Sequence, residues 1–402
     1  MSKFLIILSV IITMFVSGVS AKDNRVIGVK QPYSITLNRV DYDRNTGTIV
    51  KYTTEMYAPD YTDIVIPERL DGAQVTTIGD YAFSFSYLTS VIIPNSVTSI
   101  GERAFSDNAL TSVIIPSNVT IISNGAFSDN DLTSVTIPNS VTTIGDWAFS
   151  GNNLTGVAIP NLVTIIGKRA FSFNDLIRVI IPDSVIIIGE SAFSDNDLTS
   201  VNIPHSVSTI GAKAFSGNGL TSLTIPAPSS LTRIGAKAFI RNAITRVTLP
   251  NSLITIGDSA FIRNALTRVT IPNSVTTIGE AAFSGNALTS VTIPNSVTTI
   301  GAAAFSDNAL TSVTIPSSVT SIENGTFYNN ALTSVTIPNS VTTIGYGAFF
   351  GNSLTSVTIP SSVITIGAAA FSDNALTSVT IPSSVITLND KAFDESVVIT
   401  RL

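Results

Sequence analysis

The chain of 402 residues contains no cysteine and one histidine, His205. Without Cys there is no disulfide, no thiol nucleophile, no thiolate zinc site and no iron–sulfur cluster. A single His excludes a multi-histidine metal site. Charge is scarce as well: 12% of residues are charged, and the net charge is −6 at pH 7. Such a chain lacks the basic surface that general nucleic-acid binding requires. So few charges cannot solvate an ordinary surface, and here Ser and Thr cover it instead.

Lys3 precedes an uncharged run from Phe4 to Ala21, which ends Val19-Ser20-Ala21 before Lys22-Asp23. A basic start, an apolar stretch and small residues before a cut describe a secretory signal peptide over residues 1–21, cleaved after Ala21. The alternative is a retained anchor, since the run is at the lower limit for crossing a bilayer. No Cys follows to carry a lipid, and residues 396–402 hold no second long apolar tail. The expected mature chain is therefore exported, without a stable membrane span, to the medium, the periplasm or a cell surface.

Phenylalanines recur at 83, 105, 127, 149, 171, 193 and 215, then at 239, 261, 283, 305, 327, 349, 371 and 393. Every interval is 22 residues except the one from Phe215 to Phe239, where Pro226-Ala227-Pro228-Ser229 adds two. A fixed period of this length indicates a solenoid over residues 65–402 with about fifteen units, not a row of globular domains. Within one unit, Leu310-Thr311-Ser312-Val313-Thr314-Ile315 fits the leucine-rich-repeat strand pattern. Alternation points Val313 and Ile315 inward and Ser312 and Thr314 outward. Pro316 ends the strand, and Val319 and Ile322 return to the interior on the opposite side. A Gly four residues before the Phe, as at Gly279, Gly301 and Gly345, suits a corner of positive φ. Asn stands three residues after the Phe in thirteen of fifteen units, so a shared structural task is expected: satisfying backbone groups of its own and the next coil. One unit buries too little to fold alone, so neighbours must cover both faces. Residues 22–64 read as an N-terminal β cap: Tyr33 to Leu37 as a strand, a turn at Asn45-Thr46-Gly47, then Ile49 to Tyr52.

The unit Ile-Pro-x-x-Val-x-x-Ile-Gly-x-x-Ala-Phe-x-x-Asn-x-Leu resembles the BspA-like leucine-rich repeats of bacterial surface and secreted proteins, over roughly residues 64–395. Residues 66–83, from Ile66-Pro67 to Ala82-Phe83, look like that family's first repeat. Two departures stand out: the unit has 22 residues rather than the usual 23, and Asn replaces the usual Cys three after the Phe. The resemblance implies a β-rich solenoid with a parallel strand ladder and short helical or 3-10 turns at the Ala-Phe corners. It also implies a binding role, adhesion or contact between proteins, with no enzyme activity and no cofactor.

Candidate binding residues emerge from columns of equivalent positions, stacked about 4.8 Å apart. Seven residues after the Phe, Ser gives way to Arg at Arg178, Arg246 and Arg268; two after, Arg appears at Arg241 and Arg263. With Arg233 and Lys237, six basic residues face one acid, Asp258, between positions 233 and 268. Like charges in register cost energy unless something uses them. They read as a site for an anionic ligand, a sulfated glycan, acidic protein or anionic lipid, against the plain alternative of a solvated face. Nine after the Phe, Ile92 and Ile114 expose adjacent apolar groups near Phe85 and Tyr87, a docking patch unless the cap covers them. The Ser290/Thr292 and Ser312/Thr314 rows begin a hydroxyl grid that fits ice or polysaccharide, or β propensity alone, and a purely structural envelope component is the further alternative to a binding role. The Asp129/Asp131 and Asp195/Asp197 corners supply too few oxygens for calcium, and no metal site is expected. His205 reads as an exposed turn residue, and no Ser has a His and an acid to activate it. Strands exposed at the C-terminal end offer a route to self-association.

Overall fold

The computed structural model describes residues 32–53 and 61–402; the expected signal peptide lies outside the described residues. Each 22-residue period is one coil, and most coils carry two short parallel strands. The first is the expected one, for example Ser312–Thr314. The second, Ser321–Ile322 in the same coil, was not anticipated as a strand. Both stack on equivalent residues one period away, Ser290 on Ser312 and Ser321 on Thr343. The second ladder is the more continuous. Nine of its strands join without a break from Ile121–Ile122 to Thr299–Ile300, while the first ladder is interrupted every two or three coils. The two-residue insertion falls in the turn between the ladders. Arg233 therefore still pairs with Thr209 and Thr255.

The reason for two ladders lies in the apolar spacing. Each coil places Ala, Phe, Leu, Val, Ile, Val and Ile inward. In one coil Ala260, Phe261, Leu266, Val269, Ile271, Val275 and Ile278 are all buried. Val and Ile fall on both sides, and β-branched residues favour pleated backbone on each. The Pro-containing turn reverses the chain between them, with Val319 N–H donating to Pro316 O at 3.1 Å. Phe rings form a column through the core, with centroids 5.1 Å apart at Phe83–Phe105 and 5.8 Å at Phe305–Phe327. The near-parallel rings are offset, the arrangement their quadrupoles favour.

The Ala-Phe corners are not helical. Each is a pair of hydrogen-bonded turns, such as Ala104 N–H to Gly101 O and Ser106 N–H to Arg103 O. Residues two before and two after the Phe adopt left-handed backbone, as at Arg103 (φ 49°) and Asp107 (φ 56°). A helix cannot run through such a residue.

The glycines four before the Phe do not have positive φ, contrary to expectation. They are small because successive coils touch there. A Cβ on Gly211 would lie 2.6 Å from both Glu190 N and Gly189 C, which are backbone and cannot swing aside. Gly211→Ala should therefore cost about 1–3 kcal/mol by overpacking. Gly156→Ala, with its nearest atom at 3.9 Å, should change little; paired urea titrations would check the contrast.

Preceding the first Phe, Val40–Asp43 and Thr48–Tyr52 form an antiparallel hairpin, and Thr48–Tyr52 pairs with Thr77–Ile78 at the start of the second ladder. Tyr33–Ser34 pairs with Asp63–Val65, which pairs with Ser90–Ile92 on the first. The strand expected over 33–37 is thus two residues long, followed by a 3-10 turn at Leu37–Arg39. Tyr52 is buried and its ring stacks on Phe83 at 5.2 Å. Among the described residues no helix is long and apolar enough to cross a membrane.

Candidate functional site

Both ladders present hydroxyls to solvent, and threonines just before the strands of each donate to the preceding coil: Thr142 Oγ1 to Thr120 O at 3.2 Å beside the second ladder, and Thr133 Oγ1 to Thr111 O at 3.3 Å beside the first. On the first ladder, Ser312 and Thr314 are exposed on either side of buried Val313. They continue the Ser290 and Thr292 columns in register. None of those four hydroxyls has a hydrogen-bond partner among the described residues.

The basic residues between 233 and 268 are one cluster in sequence but fall at four places in space. Arg246 and Arg268 lie on the first ladder, seven residues after Phe239 and Phe261. Arg241 and Arg263 sit on the Phe corner in left-handed backbone, at φ 56° and 53°. Arg233 belongs to the second ladder, and Lys237 to the other side of the corner. Arg178 also projects from the first ladder, but three coils before Arg246, opposite Gly156. All of these side chains are exposed, and none makes an ion pair among the described residues.

Arg246 stands where the first ladder is broken. The strands Ser222–Thr224 and Arg268–Thr270 flank it, but its own segment is not paired as a strand. A shallow depression of about 500 Å³ opens at the break, lined by Thr221, Ser222, Thr245, Arg246 and Thr267. It combines threonine hydroxyls with one guanidinium and suits a flat polar partner more than an enclosed small molecule.

Ile92 and Ile114 are 54% and 73% exposed, so they remain accessible with Asp63–Val65 paired alongside. Phe85 and Tyr87 are exposed as well. His205 lies 3.3 Å from Asp183 in the coil before it, with both side chains open to solvent. No group of three or more His, Cys, Asp or Glu among the described residues is arranged to hold a metal. Asp129 has its carboxyl raised above the ordinary range, first by desolvation and then by the charge of Asp107 in the preceding coil.

Two features escaped the sequence reading. The residue after the Phe is usually Ser, but Tyr328 and Phe350 occupy it in successive coils and stack at 5.0 Å. The left-handed column two after the Phe was also missed, although its Gly, Asp and Asn content is the composition such backbone selects.

The sequence model for BspA type leucine rich repeat regions matches residues 56–178, 164–288 and 276–400. The comparison with curated proteins gives no match. Among solved structures, a leucine-rich repeat protein from Bacteroides ovatus is 24% identical, with a TM-score of 0.66 over 90% of this chain and 97% of its own. A leucine rich cell surface protein from Faecalibacterium prausnitzii is 28% identical, with a TM-score of 0.46 over 88% of this chain and 90% of its own. The first likeness concerns the fold. The family rests on the sequence match, which runs through nearly every coil from residue 56 to residue 400. This chain belongs to the family of BspA-type leucine-rich repeat proteins.

Proposed function

We propose that this protein is an exported, non-enzymatic binding scaffold that engages an acidic protein surface through its first-ladder face, in adhesion or protein contact at a cell surface. The observation that carries the reading is the exposed first-ladder face. The Ser290, Thr292, Ser312 and Thr314 hydroxyls have no partner among the described residues, and Arg246 and Arg268 on the same ladder are exposed and make no ion pair there. Rows of donors at fixed spacing, with a few cations, favour an extended partner over a small substrate. The family match supports a binding repeat, and the run from Phe4 to Ala21 supports export. Arg178, Ile92, Ile114 and the Ser290/Thr292 and Ser312/Thr314 rows are proposed contact points on the same ladder.

The test is capture of an immobilised acidic polymer, polyglutamate, by the folded chain at rising salt. Wild type should be retained at low salt and released as salt screens the contacts. Arg246→Ala with Arg268→Ala should weaken retention about tenfold, the scale of two exposed ion pairs. Unchanged retention would discard the site.

A further inference from the structure

Two oppositely charged pairs lie on one edge of the solenoid, in the column two residues after each Phe. From the coil of Phe105 to that of Phe261 this column begins with Asp107 and Asp129 and ends with Arg241 and Arg263. Phe173 and Asp195 stand at its middle; Asp107 is half-buried and the other five side chains are exposed. Backbone bonds keep the column in step, such as Asp107 N–H to Ser128 O at 3.0 Å and Arg263 N–H to Ser284 O at 2.9 Å. Its backbone is left-handed throughout, which Gly, Asp and Asn tolerate but which gives no local reason for Arg241 (φ 56°), Arg263 (φ 53°) or Phe173 (φ 54°).

Consider a two-fold axis lying across the column between Phe173 and Asp195. Rotation about it reverses the order of coils and preserves the column. Arg241 then meets Asp129 of the partner subunit, and Arg263 meets Asp107 of the partner subunit. Gly151 faces the partner subunit's Gly217, so the positions between the charged ends and the axis carry no side chain to hold the edges apart. Phe173, 57% exposed, lies beside the axis with an acid opposite it. No like charges meet on this column. The cost is that Asp175 meets Asp197, two residues further along each coil.

We propose that this edge mates with the same edge of a second copy, antiparallel, as an isologous dimer with ionic ends and an aromatic centre. The charge pattern selects the partner, because the two ends complement each other only when a second chain runs the opposite way. The raised carboxyl of Asp129 fits this arrangement, since part of its cause is repulsion by Asp107, which two opposing guanidiniums relieve. The dimer uses Arg241 and Arg263, not the first-ladder Arg246 and Arg268, and so stands apart from the binding role proposed above.

Sedimentation velocity on the full chain tests the proposal. At about 50 mM salt a dimer is expected, weakening at least tenfold by about 500 mM as the charges are screened. Arg241→Asp with Arg263→Asp should be monomeric, and so should Asp107→Arg with Asp129→Arg. Both swaps place at each position a residue type the column already holds elsewhere. An equimolar mixture of the two variants should restore the dimer, which also shows that both fold. Arg246→Ala with Arg268→Ala should dimerise like wild type while losing polymer retention. A monomeric wild type at low salt, a dimer that survives both reversals, a mixture that stays monomeric, or loss of the dimer on changing Arg246 and Arg268 would each overturn the proposal.

Discussion

Asn152→Ala should destabilise the solenoid by about 2–6 kcal/mol, from two buried backbone groups left unsatisfied at roughly 1–3 kcal/mol each. The Asn152 amide is 5% exposed. Its Nδ2 donates to Phe127 O at 2.9 Å, Phe149 O at 3.1 Å and Ser150 O at 3.3 Å. Its Oδ1 accepts from Leu132 N–H at 3.0 Å. Phe127 and Leu132 belong to the preceding coil, so the side chain reaches back one coil rather than forward as the sequence suggested. Ala keeps the backbone but supplies neither donor nor acceptor, and the site is too enclosed for water to replace both. Because each coil touches only its neighbours, the loss should appear as a local opening. Urea unfolding would show it as an earlier transition with a reduced slope, since two halves then unfold separately. An unchanged midpoint and slope would mean that the Asn column is decoration.

The second large effect is expected for Phe171→Ala, at about 3–5 kcal/mol. The Phe171 ring is fully buried between those of Phe149 and Phe193, with centroids 5.4 and 5.5 Å away. Removing it leaves a gap in a column whose members are held by the continuous second ladder, so neighbouring coils cannot close onto the space. The cost should therefore lie at the upper end of the range, where a site cannot collapse. Phe171→Leu should recover much of the loss by refilling the volume. If Ala proved as stable as Leu, the coils would be free to slide together and the stack would not be rigid. The same variants read by hydrogen exchange should lose protection in the coils of Phe149, Phe171 and Phe193 and leave distant coils unchanged.

These two columns also mark how far the residues could be followed without coordinates. The period, the inward direction of Val313 and Ile315, and the shared task of the Asn were legible, because each follows from spacing and side-chain chemistry repeated many times. The direction in which the Asn reaches was not, since a fixed period is the same read forward or backward. The role of the glycines four before the Phe was misread for a similar reason. A missing Cβ serves positive φ and close approach equally well, and only the coordinates, in which a Cβ added to Gly211 would lie 2.6 Å from the backbone of the coil before it, separate the two. Positive φ lies instead beside the Phe on both sides, where Asp, Arg and even Trp147 adopt it. That conformation is imposed by the stacking of coils against local preference.

The candidate surface was legible only in part. Counting charges found the basic segment 233–268, and tracing columns separated Arg246 and Arg268 from Arg241 and Arg263. Which columns share a face depends on where the chain bends, and the left-handed corner turns Arg241 away from the ladder that carries Arg246. Which hydroxyls stay free was likewise hidden. Thr133 and Thr314 are the same residue type along one ladder, yet Thr133 Oγ1 donates to the coil before it at 3.3 Å while Thr314 has no partner among the described residues.

The sequence by itself determined that this protein is a solenoid of 22-residue coils with a Phe-lined core and a Ser/Thr surface, because periodicity and apolar spacing leave one way to bury so many Val, Ile and Leu. Tertiary structure alone decided the continuous second ladder, the left-handed corners and which outward groups remain free. Those depend on hydrogen bonds between residues about one period apart, whose geometry no local spacing specifies.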